Sequence, residues 1–301
     1  MRAPDWAPER LRDAWNVGAD GIARTLRRSK TARGIDPGRR LGMEYEELEL
    51  LTEDGVRLAA WWITPEEPRG DGLVAVLHHH YGGQRATLLP WLHLLWRMGI
   101  PSLCFDARGH AASGPSPESA GSFPKRRPDV RAALDEALRR GAERVLGVGQ
   151  SQGAATLAME LGAHRDLLAG VILDSGPAPE MGVAAWGLAG NLLGRKHVDD
   201  RLARALVTLR ILPGTDPHLY PFVLWRNLHR LRRVPLLWIH GDQDSVIERS
   251  WSASWFDRIA PRSDGRWESL LVPGADHVRA LQTRPELVEG AVRNFVDRLG
   301  V

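Results

Sequence analysis

Val145-Leu-Gly-Val-Gly-Gln-Ser151-Gln-Gly153-Ala-Ala155 is the stretch whose reading decides the fold. It opens as a short apolar run, read as a buried strand, and breaks on Gly-x-Ser-x-Gly. An alanine-rich, helix-favouring segment from Ala154 to Leu161 follows at once. Strand, tight turn and helix around one serine are the layout of a nucleophile elbow. Such a turn holds Ser151 at a strained backbone angle with its hydroxyl clear of the sheet. Gly149 and Gly153 stand where a β-carbon would collide across the turn. The helix aims its first amides at negative charge developing on a bound acyl group. The motif alone leaves open an ordinary serine in a strand-to-helix turn.

On both sides of this stretch, strands alternate with helices. Leu73–His78 is a continuous apolar run, suited to a strand covered on both faces. Leu88, Trp91, Leu95 and Met98 then recur at helical spacing, Ile100–Phe105 is a second buried strand, and Val130, Leu134 and Leu138 mark a helix over Asp129–Arg140. Before them, Tyr45–Leu51 and Val56–Thr64 flank the turn Glu53-Asp-Gly55 as a hairpin. Downstream, Gly170–Asp174 reads as a strand, and the alternation stops after Pro177. Ala178–Arg233 holds helical stretches and no good strand, broken by Pro213-Gly-Thr-Asp-Pro217. Strand and helix resume at Val234–His240, Ser269–Val272 and Pro285–Leu299. The pattern predicts an α/β fold: a mostly parallel sheet with helices on both faces, an N-terminal antiparallel hairpin, and a helical cap at about 178–233 inserted in the C-terminal half. Residues 43–301 form this domain. Residues 1–42 form a helical arm with a loose stripe of Trp6, Leu11, Trp15 and Ile22.

A chain of 301 residues with 43% apolar and 26% charged residues has the composition of a globular protein with a large core. Its one cysteine, Cys104, excludes an internal disulfide and reads as a small buried apolar residue. No run of 18 apolar residues is present and the N-terminal stretch lacks the apolar core of a leader, so neither a transmembrane segment nor secretion is expected, and a cytoplasmic location is. The net charge of +3 is uneven, with +5 over residues 1–40 and +6 over residues 195–233. Neither segment has the interleaved basic and aromatic residues of a nucleic-acid module, so no nucleic-acid partner is expected. The basic arm either packs on the body or makes a peripheral membrane contact. Oligomeric state is not legible.

A serine hydroxyl needs a histidine to take its proton and an acid to fix that histidine's tautomer. Both belong on loops at the carboxyl edge of the sheet, in the order Ser, acid, His. Ile239-His-Gly-Asp242-Gln-Asp244 follows one strand and offers two acids. Leu271-Val-Pro-Gly-Ala-Asp276-His277 follows the next and offers the histidine.

These segments, together with Glu53-Asp-Gly-Val-Arg-Leu58, the His-Tyr-Gly-Gly turn at 80–83 and Asp106-Ala-Arg-Gly-His110, resemble the α/β-hydrolase superfamily, in its esterase, lysophospholipase and serine-aminopeptidase-like branch. The resemblance covers roughly residues 45–300. It implies a triad of Ser151, Asp244 and His277, with Asp242 a turn residue, Asp174 the lesser alternative acid and Asp276 structural. It also implies an oxyanion hole from the backbone amides of Gln152 and Tyr81, since His-Gly-x-Gly-Gly maps onto residues 79–83. His80 departs from that pattern by standing where glycine is usual, and its side chain narrows the pocket or shifts the loop. Ala111 likewise replaces a common glycine in a segment read as scaffolding.

His78 and His80 share a strand face as in a His-x-His zinc site, but Gly82 and Gly83 stand where further ligands belong, so no metal is expected. His80, Trp186 and Trp225 are candidate pocket residues, with core packing the competing role for the tryptophans. The expected activity is cofactor-free hydrolysis of a small-molecule carboxylic ester through an acyl-enzyme. The same triad serves thioesterase, peptidase or acyltransferase chemistry. A non-catalytic binding or scaffold protein that keeps the fold is the rival from another class.

Overall fold

The computed structural model describes residues 35–115, 122–178, 181–193, 200–212, 216 and 218–300. Nearly all of the expected N-terminal arm lies outside them. The strands are β1 (Tyr45–Leu51), β2 (Arg57–Ile63), β3 (Leu73–His78), β4 (Ser102–Phe105), β5 (Arg144–Gln150), β6 (Leu168–Asp174), β7 (Leu236–Gly241) and β8 (Trp267–Val272). The helices are α1 (Pro37–Leu41), α2 (Leu89–Arg97), α3 (Arg127–Arg139), α4 (Gln152–Leu161), α5 (Met181–Leu193), α6 (Arg201–Ile211), α7 (Leu219–Leu231), α8 (Arg249–Ile259), α9 (Ala280–Thr283) and α10 (Pro285–Asp297).

One sheet runs in the order β1-β2-β4-β3-β5-β6-β7-β8. β2 pairs antiparallel with both β1 and β4, and every pairing from β4 to β8 is parallel. The apolar runs of β3 and β7 are buried at every residue because helices cover both faces. One core layer takes its side chains from α3, α4, α7 and α8, the other from α2, α9 and α10. The β1 edge instead carries Glu46, Glu47 and Glu49, and charge of this kind protects an open edge from further pairing.

The segment expected as a cap divides in two. α5 and α6 pack on each other through a small cluster of their own, Ala189, Leu193, Ala203 and Val207. α7 carries Tyr220, Val223, Leu224, Leu228 and Leu231 into the same core layer as α4. That continuous stripe packs α7 on the body, while α5 and α6 keep a cluster of their own.

Register brings the carboxyl ends of the parallel strands to one edge: His78 lies opposite Gly149, Gln150 opposite Asp174, and Gly241 opposite Val272. The loops that follow β3, β5, β7 and β8 therefore converge, as loops at the carboxyl edge of such sheets do.

Candidate active site

Ser151 stands between β5 and α4 with φ 51° and ψ −110°. A non-glycine residue there costs about 1–3 kcal/mol and persists only where its surroundings hold it. Its N–H donates to the Asp174 carbonyl at 2.8 Å, and its own carbonyl accepts from Ala155 N–H at 3.1 Å. The flanking glycines are required by space. A β-carbon on Gly149 would come within 2.7 Å of the Ala154 backbone, and one on Gly153 would run into the His78 carbonyl oxygen.

His277, on the loop after β8, places Nε2 2.8 Å from Ser151 Oγ. Its Nδ1 lies 2.8 and 3.0 Å from the two carboxylate oxygens of Asp244. An ionised carboxylate only accepts, so Nδ1 carries the proton and Nε2 is left with a lone pair facing the serine hydroxyl. Asp244 is itself fixed: its Oδ1 accepts the N–H groups of Val246 and Ile247 at 2.9 and 2.8 Å.

The neighbouring acids have other partners. Asp242 accepts Gly274 N–H at 2.7 Å and shapes the turn. Asp276 accepts the N–H groups of Ser245 and His277, tying the histidine loop to the acid loop. Burial pulls its pKa up, but those N–H groups outweigh it and hold the carboxyl below its ordinary range. Asp174 is fully buried and binds Gln150 Nε2 and Ser175 Oγ, both at 3.0 Å. Burial raises its pKa.

The loop after β3 is built on histidine rings. His78, His79 and His80 each turn Nδ1 onto the carbonyl of the next residue, at 2.9, 2.7 and 3.0 Å. The Nε2 atom of His79 then accepts Ala107 N–H at 3.0 Å, and that of His110 accepts Gly82 N–H at 3.2 Å. Burial depresses the pKa of His78 to about 3, of His110 to about 3 and of His80 to about 4, and holds that of His79 well below 6.5. The four rings are therefore neutral near pH 7 and act as fixed dipolar braces. His80 is half-buried, and the charges of His277 and Arg279 nearby add to the burial that lowers its pKa. Among the described residues, the amides of Gln152 and Tyr81 donate to no protein acceptor, which leaves both N–H groups available. No group of three or more His, Cys, Asp or Glu side chains among the described residues is arranged to hold a metal ion.

The Asp106–His110 segment acts as a clamp. Asp106 accepts the N–H groups of Arg85 and Ala112, while buried Arg108 bridges Asp54 and Asp129. The two tryptophans part company. Trp186 lies in the inserted pair, under the Arg204 guanidinium at 4.7 Å and bonded to it through its carbonyl. One residue on, Gly187 passes so close to the Val246 carbonyl that α5 rests on the acid loop. Trp225 meets Arg258 and His229 and packs against the core layer that holds α4 and α7.

Ser175 escaped sequence reasoning. Its Oγ donates to Asp174 and accepts Val278 N–H at 2.9 Å, pinning the residue after His277. An Asp-Ser pair at a strand end was the only signal.

The fold has solved counterparts. An esterase of Pyrococcus furiosus superposes with a TM-score of 0.68 at 22% identity, over 88% of this chain and 94% of that one. A thermostable carboxyl esterase of Bacillus coagulans, crystallised with glycerol, gives 0.65 at 16% identity, over 86% of this chain and 100% of that one. At such identities the likeness is one of fold. No curated protein matches the chain. Residues 75–291, which carry the elbow, both candidate acids and the histidine, match the sequence profile described as "Alpha/beta hydrolase family". That span is well over half of the chain, and the protein belongs to the α/β-hydrolase family.

Proposed function

We propose that this protein is a serine hydrolase that cleaves a small-molecule carboxylic ester. The observation that carries the reading is the unbroken hydrogen-bonded line from Ser151 Oγ through the His277 ring to the Asp244 carboxylate. His277 Nε2 takes the hydroxyl proton as Ser151 attacks the acyl carbonyl, and Asp244 stabilises the imidazolium that forms. The amides of Gln152 and Tyr81 hold the tetrahedral oxyanion, and preorganised donors of this kind contribute about 3–4 kcal/mol each. Protonated His277 then releases the alcohol, and water admitted to the same place frees the acid from the acyl-enzyme. No step needs a cofactor.

The esterase folds similar to this one favour an ester over an amide or thioester. The test is a matched set of substrates sharing one acyl group: a p-nitrophenyl ester, a thioester and a p-nitroanilide. The ester is expected to give the highest kcat/KM. A thioester or anilide turned over faster than the ester would overturn this assignment while leaving the serine mechanism intact.

A further inference from the structure

Many guanidinium groups of the described body meet carboxylates. Arg127 and Arg131 close on Glu160, Arg140 on Glu46 and Glu136, Arg97 on Glu289, and Arg298 on Glu268. At the end of the sheet opposite Ser151 the pattern fails. There a concavity of about 290 Å³ is lined by Arg165, His229, Arg230, Arg232 and Arg233. Arg165 follows α4 and precedes β6, His229 and Arg230 lie in the last turn of α7, and Arg232 and Arg233 lie between α7 and β7, so the basin sits at the amino ends of the parallel strands.

Among the described residues, Arg230, Arg232 and Arg233 form no ion pair with a carboxylate. The one acid against Arg165 is Asp166, at 3.6 Å and 94% exposed. The carboxyl end of α7 supplies only about half an elementary negative charge. Part of even that is engaged, because Trp267 Nε1 donates to the carbonyls of Leu231 and Val234 at 3.3 and 3.2 Å. Four arginines and a histidine therefore line one concavity, and among the described residues the exposed Asp166 is the one carboxylate that pairs with any of them.

The frame that displays them is rigid. Leu231 and Val234 are buried, and Val234 N–H closes on the Leu231 carbonyl at 2.8 Å. Behind the basin, Arg258 lies over the Trp225 ring, which packs against His229. Burial, together with the charges of Arg232, Arg262 and Arg258, keeps His229 below its ordinary pKa.

We propose that this basin is an oxyanion-binding site, separate from the serine site, that takes a phosphate or diphosphate group. Guanidinium forks match phosphate oxygens two at a time, and a set of them without carboxylates has the chemistry of phosphate recognition. The volume lies at the low end for a small-molecule pocket, which fits a compact anion.

The same chemistry is offered by a free phosphate compound or by a phospholipid headgroup, and one experiment separates them. Thermal unfolding is followed with sodium diphosphate and with sodium chloride of equal ionic strength. In parallel, co-sedimentation is measured with phosphatidylcholine vesicles with and without phosphatidylglycerol. Wild type is compared with the Arg230→Ser/Arg232→Ser/Arg233→Ser variant and with Arg233→Glu alone, a single exposed change that spares the core. Ser151→Ala serves as a form with the serine site disabled. The expected result is a rise of several degrees in Tm with diphosphate over chloride in wild type and Ser151→Ala, lost in both arginine variants. A response to diphosphate without vesicle binding assigns the free anion, and vesicle binding that needs phosphatidylglycerol assigns the headgroup; both uphold the site if the arginine variants abolish them. Equal effects of chloride and diphosphate with no vesicle binding, or responses that survive in both arginine variants, would overturn it.

Discussion

Asp244 meets three donors at once: the His277 ring and the N–H groups of Val246 and Ile247. That division of labour separates chemistry from folding. In Asp244→Asn the side-chain oxygen can still accept both backbone amides, while the charge opposite His277 is gone and the tautomer is no longer enforced. The expected outcome is a fall in kcat of about 10⁴ with KM and Tm nearly unchanged, read by steady-state kinetics and thermal unfolding. A Tm loss of many degrees would mean that Asp244 serves the fold first. Ser175 shows the converse. In Ser175→Ala the Val278 N–H and one Asp174 oxygen lose their partner, and a buried polar group left unmet costs about 1–3 kcal/mol. Both Tm and kcat are expected to fall, with kcat lower by roughly tenfold because the histidine loop loses its pin. Ser151, Asp244 and His277 were legible in the sequence because each type is chemically demanding and each follows a strand end. Ser175 and His79 were not. Which backbone N–H groups need a side-chain acceptor is decided only when loops distant in sequence are brought together.

The inserted pair α5–α6 and the acid loop touch where helix backbone meets loop backbone. A β-carbon on Gly187 would strike the Val246 carbonyl, so Gly187→Ala must lift α5 away from the loop that carries Asp244. Because α5 and α6 share a cluster separate from the two main core layers, Tm should move by a degree or two at most. KM is expected to rise several-fold. Unchanged kinetics, measured with the ester substrates, would show that α5 does not shape the site. Element types were legible wherever periodicity was long: the hairpin, the buried strands and the closing helix stand as read. The packing of α7 on α4 was not. A helix that covers strand ends and a helix that packs on the sheet face can carry equally apolar stripes, and the packing of α7 on α4 comes from tertiary contact rather than from its own sequence.

Three buried histidines near the site give the whole molecule a pH signature. In the unfolded chain His titrates near 6.5, whereas burial depresses His78 and His110 to about 3 and His79 well below its ordinary value. Above about pH 6.5 both states are neutral at these positions and stability is complete. As pH falls from there toward about 3, the unfolded state gains protons that the folded state refuses, so stability is lost. Between pH 6.5 and 5, where most carboxylates stay ionised, each group contributes a slope of up to about 1.4 kcal/mol per pH unit. Urea unfolding at pH 7.5, 6.5, 5.8 and 5 checks this, and a flat profile would mean that the rings are accessible to protons in the folded state. The central claim, that Ser151 is the residue that becomes acylated, is tested most directly by fluorophosphonate labelling with mass-spectrometric mapping, alongside p-nitrophenyl ester turnover, for wild type and Ser151→Ala. The predicted result is one adduct, on Ser151, absent from the variant, whose turnover is lower by about 10⁶. An adduct on another residue, or a variant as active as wild type, would contradict it.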